Sequence, residues 1–335
     1  MNDARGTPHR WRSVFGLILL APLVGEFLLG NTPISDLGAL ILFIPLYGCG
    51  ALLIRETARR TGRGRPTMLL LGAAYGLFEE GPVDQMLWNP HYGGVPFGLV
   101  YAGTHVPLLG TSVALLQDVV SMHMIWSICV PIALVEAFGR APQRPWLGRL
   151  GLSVTGVVFA AGSLGLAALQ YAYNDRFMAS AWQWTVGAVL IAGLVVAAFL
   201  AGRSTGPRSL AAAPAPWRAG CAALALTSAY WAGQLLLRDH VPDWIVVFFW
   251  LLLAATALVV GLRWSRGRGW GDGHRVAVAV GALLTYVWAG FPQAADSGTP
   301  TAVALTGNAV FGTGALVLAA AAARSVRRHG IDESG

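Results

Sequence analysis

The chain has 335 residues, of which 55% are hydrophobic and only 12% charged, with a mean hydropathy of +0.58. A soluble domain carries roughly 25% charged residues, so a soluble globular fold is excluded and an all-α, polytopic transmembrane helical bundle is predicted. The net charge is +7 and there is no lysine; the arginines are dispersed in short clusters between apolar runs, which argues against a nucleic-acid-binding face.

A span through a bilayer needs about 20 apolar residues. Such runs lie, in chain order, near 14–30, 37–54, 67–82, 108–138, 151–171, 181–201, 219–237, 244–262, 276–292 and 302–323. The fourth is too long for one perpendicular span and predicts a tilted or broken helix, or one that extends into water. A basic stretch from Arg5 to Arg12 precedes the first run. No small-x-small cleavage site follows it, so this run reads as an uncleaved helix rather than a secretory signal.

The arginines test the span count. Arg5, Arg10 and Arg12 precede the first run, and Arg55, Arg59, Arg60, Arg63 and Arg65 follow the second. Arg140, Arg144 and Arg149 follow the fourth, and Arg203, Arg208 and Arg218 the sixth. Arg263, Arg266, Arg268 and Arg275 follow the eighth, and Arg324, Arg327 and Arg328 the tenth. The intervening connections hold only Arg176 and Arg238. By the positive-inside rule this alternation predicts about ten spans with both termini in the cytoplasm. The lysine-free, alanine-rich composition fits a bacterial inner membrane, so the expected location is the cell membrane and the first partner is the lipid bilayer.

Cys49, Cys129 and Cys221 fall inside apolar runs, at spacings unlike a metal knuckle, and read as small buried hydrophobes. The connection at about 81–107 carries Trp88, His91, Tyr92, Phe97, Tyr101 and His105 amid Gly and Pro, as a re-entrant or interfacial segment would.

Ionisable groups at membrane depth are costly and mark sites by default. Glu26, Glu79, Glu80, Asp118, His123 and Glu136 all lie in the first four runs, and the later runs hold no ionisable residue in their cores except tyrosine. Residues 1–138 therefore form the half expected to carry chemistry, with 139–335 as an apolar scaffold whose strongest polar groups are Gln170, Gln183 and Gln234.

The sharpest element is Gly76-Leu77-Phe78-Glu79-Glu80-Gly81-Pro82. Neighbouring helical residues point about 100° apart, so one carboxylate can hold a metal while the other activates water. Their mutual repulsion in an apolar setting suits a general base. Alternatively, the pair ends a helix at the outer interface. His123 follows, with Ser127 one turn on and able to orient the imidazole, as a metal site requires; a histidine bonded to another helix reads equally well. His105 and His91 are weaker candidates. Asp118 needs a partner, whether a protonated His123, water or another helix. Glu26 and Glu136 are expected near enough to the interface to stay wet, and Arg55-Glu56 reads as an ordinary ion pair.

Glu79-Glu80, Tyr101-x-x-x-His105 and His123-x-x-x-Ser127 together resemble the CAAX-protease and bacteriocin-processing family of intramembrane metalloproteases. That family has Glu-Glu-x-x-x-Arg, Phe-x-x-x-His and His-x-x-x-Asn motifs in the same order. The resemblance covers residues 67–130. Here Asp84 stands in place of the family's arginine and Ser127 in place of its asparagine. It implies peptide hydrolysis in the membrane, with Glu79 or Glu80 activating water and Glu80, His105 and His123 holding a Zn2+ ion; Ser127 and Asp118 would orient the substrate. Against convergence stands depth: at 1.5 Å per residue, Glu79 and His123 are expected at levels roughly 12 Å apart.

A second reading is a transporter or permease, with Glu79, Glu80 and Asp118 lining a cation or proton path and Gly81-Pro82 breaking a helix beside it. A third is a non-catalytic membrane protein. The substrate, a peptide or a small molecule, is left open.

Overall fold

In lipid each backbone amide must be satisfied within its own segment, so long apolar runs become helices. The protein, seen in a computed structural model that describes residues 7–94, 102–139, 143–201, 210–237, 240–296 and 298–332, is a bundle of such helices. The α-helices are, in order, α1 (Thr7–Pro22), α2 (Leu40–Phe43), α3 (Cys49–Arg60), α4 (Arg65–Phe78), α5 (Val113–Met122) and α6 (Val130–Glu136), followed by α7 (Arg149–Tyr173), α8 (Ala181–Ala201), α9 (Pro216–Leu237), α10 (Asp243–Ser265), α11 (Asp272–Asp296) and α12 (Thr301–Asp332).

Among the described residues nine helical stretches are long and apolar enough to cross a membrane. They match nine of the ten runs read from the sequence. The remaining run is α4, 14 residues of α-helix continued by 5 of π-helix, Glu79–Val83. It is roughly 28 Å long by the usual rise per residue, and its two glutamates make it the least apolar of the ten.

Four helices are interrupted by π-helical turns: Leu23–Leu28 after α1, Ile44–Gly48 between α2 and α3, Glu79–Val83 after α4, and His123–Cys129 between α5 and α6. Each has a proline at or beside it: Pro22, Pro45, Pro82 and Pro131. A proline lacks the amide that would close the α-helical bond four residues back, which loosens the ladder there. The freed carbonyl can then serve packing. Pro22 releases the Ile18 carbonyl, and Gly48 packs so closely on it that a Cβ would lie 2.3 Å from the oxygen.

The fourth span begins later than the apolar run suggests. Residues 107–110 form a turn between two short antiparallel strands, β1 (His105–Val106) and β2 (Thr111–Ser112). Helix starts at Val113, where Ser112 caps it by accepting from the Leu115 amide. The continuous segment Val113–Glu136 is 72% buried and forms the axis of the bundle. Trp126 lies on it fully buried, stacked on Tyr286 of α11 at 4.3 Å, and donates to the Ala282 carbonyl. By contrast α8 and α10 hold few fully buried residues and turn apolar side chains outward, as helices on the lipid side do.

Arginine-rich connections gather at one end. Arg63 donates to the Phe199 carbonyl at the end of α8, Arg55 to the Arg144 carbonyl, and Ala213 N–H to the Arg268 carbonyl. At the opposite end Gln293 donates to Asn31, Trp182 to the Leu108 carbonyl and Gly93 N–H to Asn174. The alternation read from the sequence is thus spatial. Arg5, Arg140, Arg203, Arg208 and Arg238 lie outside the described residues, as do Phe97 and Tyr101.

Candidate functional site

Each of the four π turns delivers a polar side chain to the same buried place. They contribute Glu26, Tyr47, the pair Glu79 and Glu80, and His123 with Ser127. Wider turns of this kind occur frequently at functional sites, because they re-aim side chains that a regular helix would direct elsewhere.

His123 is the centre. Its Nε2 lies 2.9 Å from Glu80 Oε1 and its Nδ1 lies 3.1 Å from Glu79 Oε2. Ser127 Oγ is 3.3 Å from the same Nδ1. Glu79 approaches Nδ1 out of line with a ring N–H, so that contact is electrostatic, and its Oε2 accepts no well-aligned hydrogen bond among the described residues. Tyr47 and Tyr75 pack on the imidazole with centroids 5.8 and 5.9 Å away. The Tyr47 hydroxyl donates to Glu26 at 2.5 Å. Glu79, Glu80, His123, Ser127, Tyr47 and Tyr75 are all buried, whereas Glu26 is half-buried and reaches Thr32 at the arginine-poor end.

The depth expected from the sequence is corrected here. Arg65 and Glu136, at the arginine-rich ends of α4 and α6, meet at 3.5 Å. Counting from that contact, Glu79 is 14 residues along one helix and His123 13 residues back along its antiparallel neighbour. Both are therefore about 20 Å from the same end by the usual rise. The error lay in starting the fourth span near 108 instead of at Val113.

Close approach of the two helices depends on Gly72 and Gly76 of α4. A Cβ at Gly76 would lie 3.0 Å from the Cβ of His123, and one at Gly72 would lie 3.2 Å from the Cα of Met124. This is the small-x-x-x-small spacing that lets membrane helices touch. It could have been read from Gly72-Ala73-Ala74-Tyr75-Gly76, as could Tyr75 one turn before Glu79, but neither carries a charge to draw attention.

The remaining expected residues are placed elsewhere. His105 is exposed on β1, outside the buried cluster, and His91 is exposed as well. Asp118 is buried and faces away from His123 toward α9, where the Tyr230 hydroxyl donates to it at 2.9 Å and Gln234 donates to the same oxygen. The half of the chain read as an apolar scaffold thus supplies uncharged donors. Asp84, one turn after Glu80, accepts from the Tyr92 hydroxyl at 3.2 Å, and Gln170 of α7 donates to Tyr92.

A second charged layer lies toward the arginine-rich end. Glu136 accepts from Arg55 at 3.1 Å and from Arg59 at 2.7 Å. Glu56 pairs with Arg55 at 2.8 Å and accepts from the amides of Trp146 and Leu147. The Arg55 guanidinium lies 3.3 Å from the Trp146 ring centroid. Glu136 is therefore buried rather than wet, and Arg55-Glu56 is a fully buried pair rather than an interfacial one.

Metal coordination needs donors that converge on one point. The lone pairs of the two ring nitrogens of His123 diverge, and a different glutamate meets each. Among the described residues no group of three or more His, Cys, Asp or Glu could hold a metal ion. The expected set of Glu80, His105 and His123 does not assemble, since His105 is exposed.

Fold and site together define a polytopic helical membrane protein with a buried carboxylate–histidine cluster. The chain belongs to an uncharacterized membrane protein family, whose pattern matches it over residues 16–328. That match corrects the resemblance to the CAAX-protease and bacteriocin-processing family; of its motif positions Glu79, Glu80, His123 and Ser127 meet, whereas His105 lies apart. No curated protein and no solved structure matches the chain.

Proposed function

We propose that this protein is a transporter or permease in which Glu79, Glu80 and His123 bind and pass protons. The observation that carries the reading is a charge imbalance: Glu79 and Glu80 meet one imidazole, Glu26 and Asp84 lie close to Glu80, and among the described residues no arginine pairs with any of the four. Isolated charges are expensive away from water, so such a cluster is tenable only if protons or cations neutralise it. Lack of a convergent donor set favours protons over a metal ion.

His123 lies between the two glutamates, so a proton held by Glu80 can pass to the imidazole at Nε2, and the ring cation so formed is balanced by Glu79 beside Nδ1. Ser127 positions the ring. Adding or removing that proton changes the attraction between α4 and the helix carrying His123. Both are loosened at this level by π turns, so a local change in charge can shift helix packing. Asp118, held by neutral donors from α9, joins two walls of the bundle and is not assigned to the path.

A rapid pH step on proteoliposomes adsorbed to a solid-supported membrane tests this without knowledge of the substrate. Protons binding within the protein displace charge and give a transient current. The wild type should give one, and Glu80→Gln and His123→Ala should reduce it at least fivefold while remaining folded in detergent. A wild-type signal equal to that of protein-free liposomes would overturn the reading.

A further inference from the structure

Buried polar atoms that accept or donate nothing are rare and call for an explanation. Among the described residues seven buried side-chain atoms lack a well-aligned hydrogen bond, and four of them lie on α4, its π turn and the residue after it: the Tyr75 hydroxyl and Glu79 Oε2, which are near Glu79 and His123 respectively, and Glu80 Oε2 and Asp84 Oδ1. They follow the helix toward the arginine-poor end. Glu79 and Glu80 are 2% and 7% exposed, so bulk water does not account for their oxygens.

From Oδ2, the other oxygen of the Asp84 carboxylate, the polar series continues. Asp84 accepts from Tyr92, Tyr92 from Gln170, and Gln170 from Asn174, whose own Oδ1 accepts from the exposed Gly93 amide. Tyr92 and Asp84 are each half-buried. Charged residues facing Asp84 are Glu79 and Glu80 on its own element and Glu26 on the π turn after α1; Tyr92 is its titratable hydroxyl neighbour. α7 presents Gln170 to it, and α8, packed on the same π turn, carries no ionisable side chain.

We infer that Asp84, with Tyr92, is the arm through which protons reach Glu80 and His123 from the arginine-poor end. The inference rests on the proton-binding reading of the site and adds a direction and an entry residue to it. Glu80 and Asp84 are four residues apart, a spacing that places side chains on one helical face. A water molecule held between their orphan oxygens would have two polar partners and complete the relay. A proton taken up by Asp84 passes along that bridge to Glu80 and then to His123 Nε2, and Asp84 is left as a carboxylate to accept the next. Glu26 is the competing entrance, since it too is half-buried at that end.

The two entrances separate kinetically. In the pH-step experiment, Asp84→Asn should slow the rise of the transient at least tenfold while its integrated charge stays within about twofold of wild type. Tyr92→Phe and Glu26→Gln should each slow it less than Asp84→Asn does, and Asp84→Glu should restore it. A wild-type rate in folded Asp84→Asn, or slowing by Glu26→Gln alone, would overturn the inference while leaving the proton site standing. No transient in the wild type would instead mean that the underlying site reading has failed. Thermal unfolding of each variant in detergent identifies those that misfold, and for any of these Asp84→Ser is the replacement.

Discussion

The acid layer around His123 and the arginine layer around Glu136 are built on the same helices, yet they are opposite in character. In the arginine layer two carboxylates meet Arg55, Arg59, Arg60 and Arg65, and Glu56 also caps the amides of Trp146 and Leu147. In the acid layer Glu79 and Glu80 share one imidazole, Glu26 and Asp84 have only hydroxyl partners, and orphan oxygens remain. Charges that satisfy one another hold a structure in place. A cluster that cannot satisfy itself depends on something that comes and goes. Burial is common to both layers, so the balance of charge, rather than depth, is what distinguishes them.

The comparison breaks most visibly at Glu136. Glu136→Ala strips three arginines of their shared partner and leaves the buried Arg59 without a carboxylate, a change that costs about 3–5 kcal/mol. Thermal unfolding in detergent should show a large loss of stability, and a near wild-type midpoint would count against a structural role for that layer. Gly76→Val comes next. The added side chain must push the helix of His123 away from α4, at about 1–3 kcal/mol for overpacking. It should also abolish the pH-step transient although no polar residue has changed, whereas a variant that keeps its transient would show that the Glu79–His123 contact is dispensable. Glu80→Gln is expected to be smallest in stability. It gives up a charge-assisted hydrogen bond but also removes one carboxylate from a crowded set, so unfolding should change by about 1 kcal/mol or less, or improve. A loss as large as that of Glu136→Ala would mean that the two layers are alike after all.

Much of the bundle is legible in the residues. Apolar runs and alternating arginines point to ten helices, because backbone satisfaction in lipid and charge asymmetry across it act on each segment separately. The importance of Glu79, Glu80 and His123 as buried polar groups follows from the same local logic. What the residues conceal is relative height. That depended on the Ser112 cap, which starts the central helix at Val113, and on Arg65 finding Glu136 across 71 positions of chain. Uncharged contributors were also hidden. Tyr47, Tyr75 and Tyr230 are unremarkable until a carboxylate or an imidazole lies beside them. His105 shows the converse failure: a histidine at plausible spacing, placed by a two-residue strand at the surface.

The π turns bear on how this chain tolerates changes in length. A π turn behaves as a single residue inserted into an α-helix, and removing that residue allows the regular ladder to re-form. Everything beyond it would then rotate by about 100° relative to what precedes it. One deletion within Glu79–Val83 would turn Asp84 relative to α4, and one within His123–Cys129 would turn Glu136 out of its arginines. Length polymorphism is normally absorbed in loops. In these four segments a gain or loss of one residue acts instead as a rotation of half a helix.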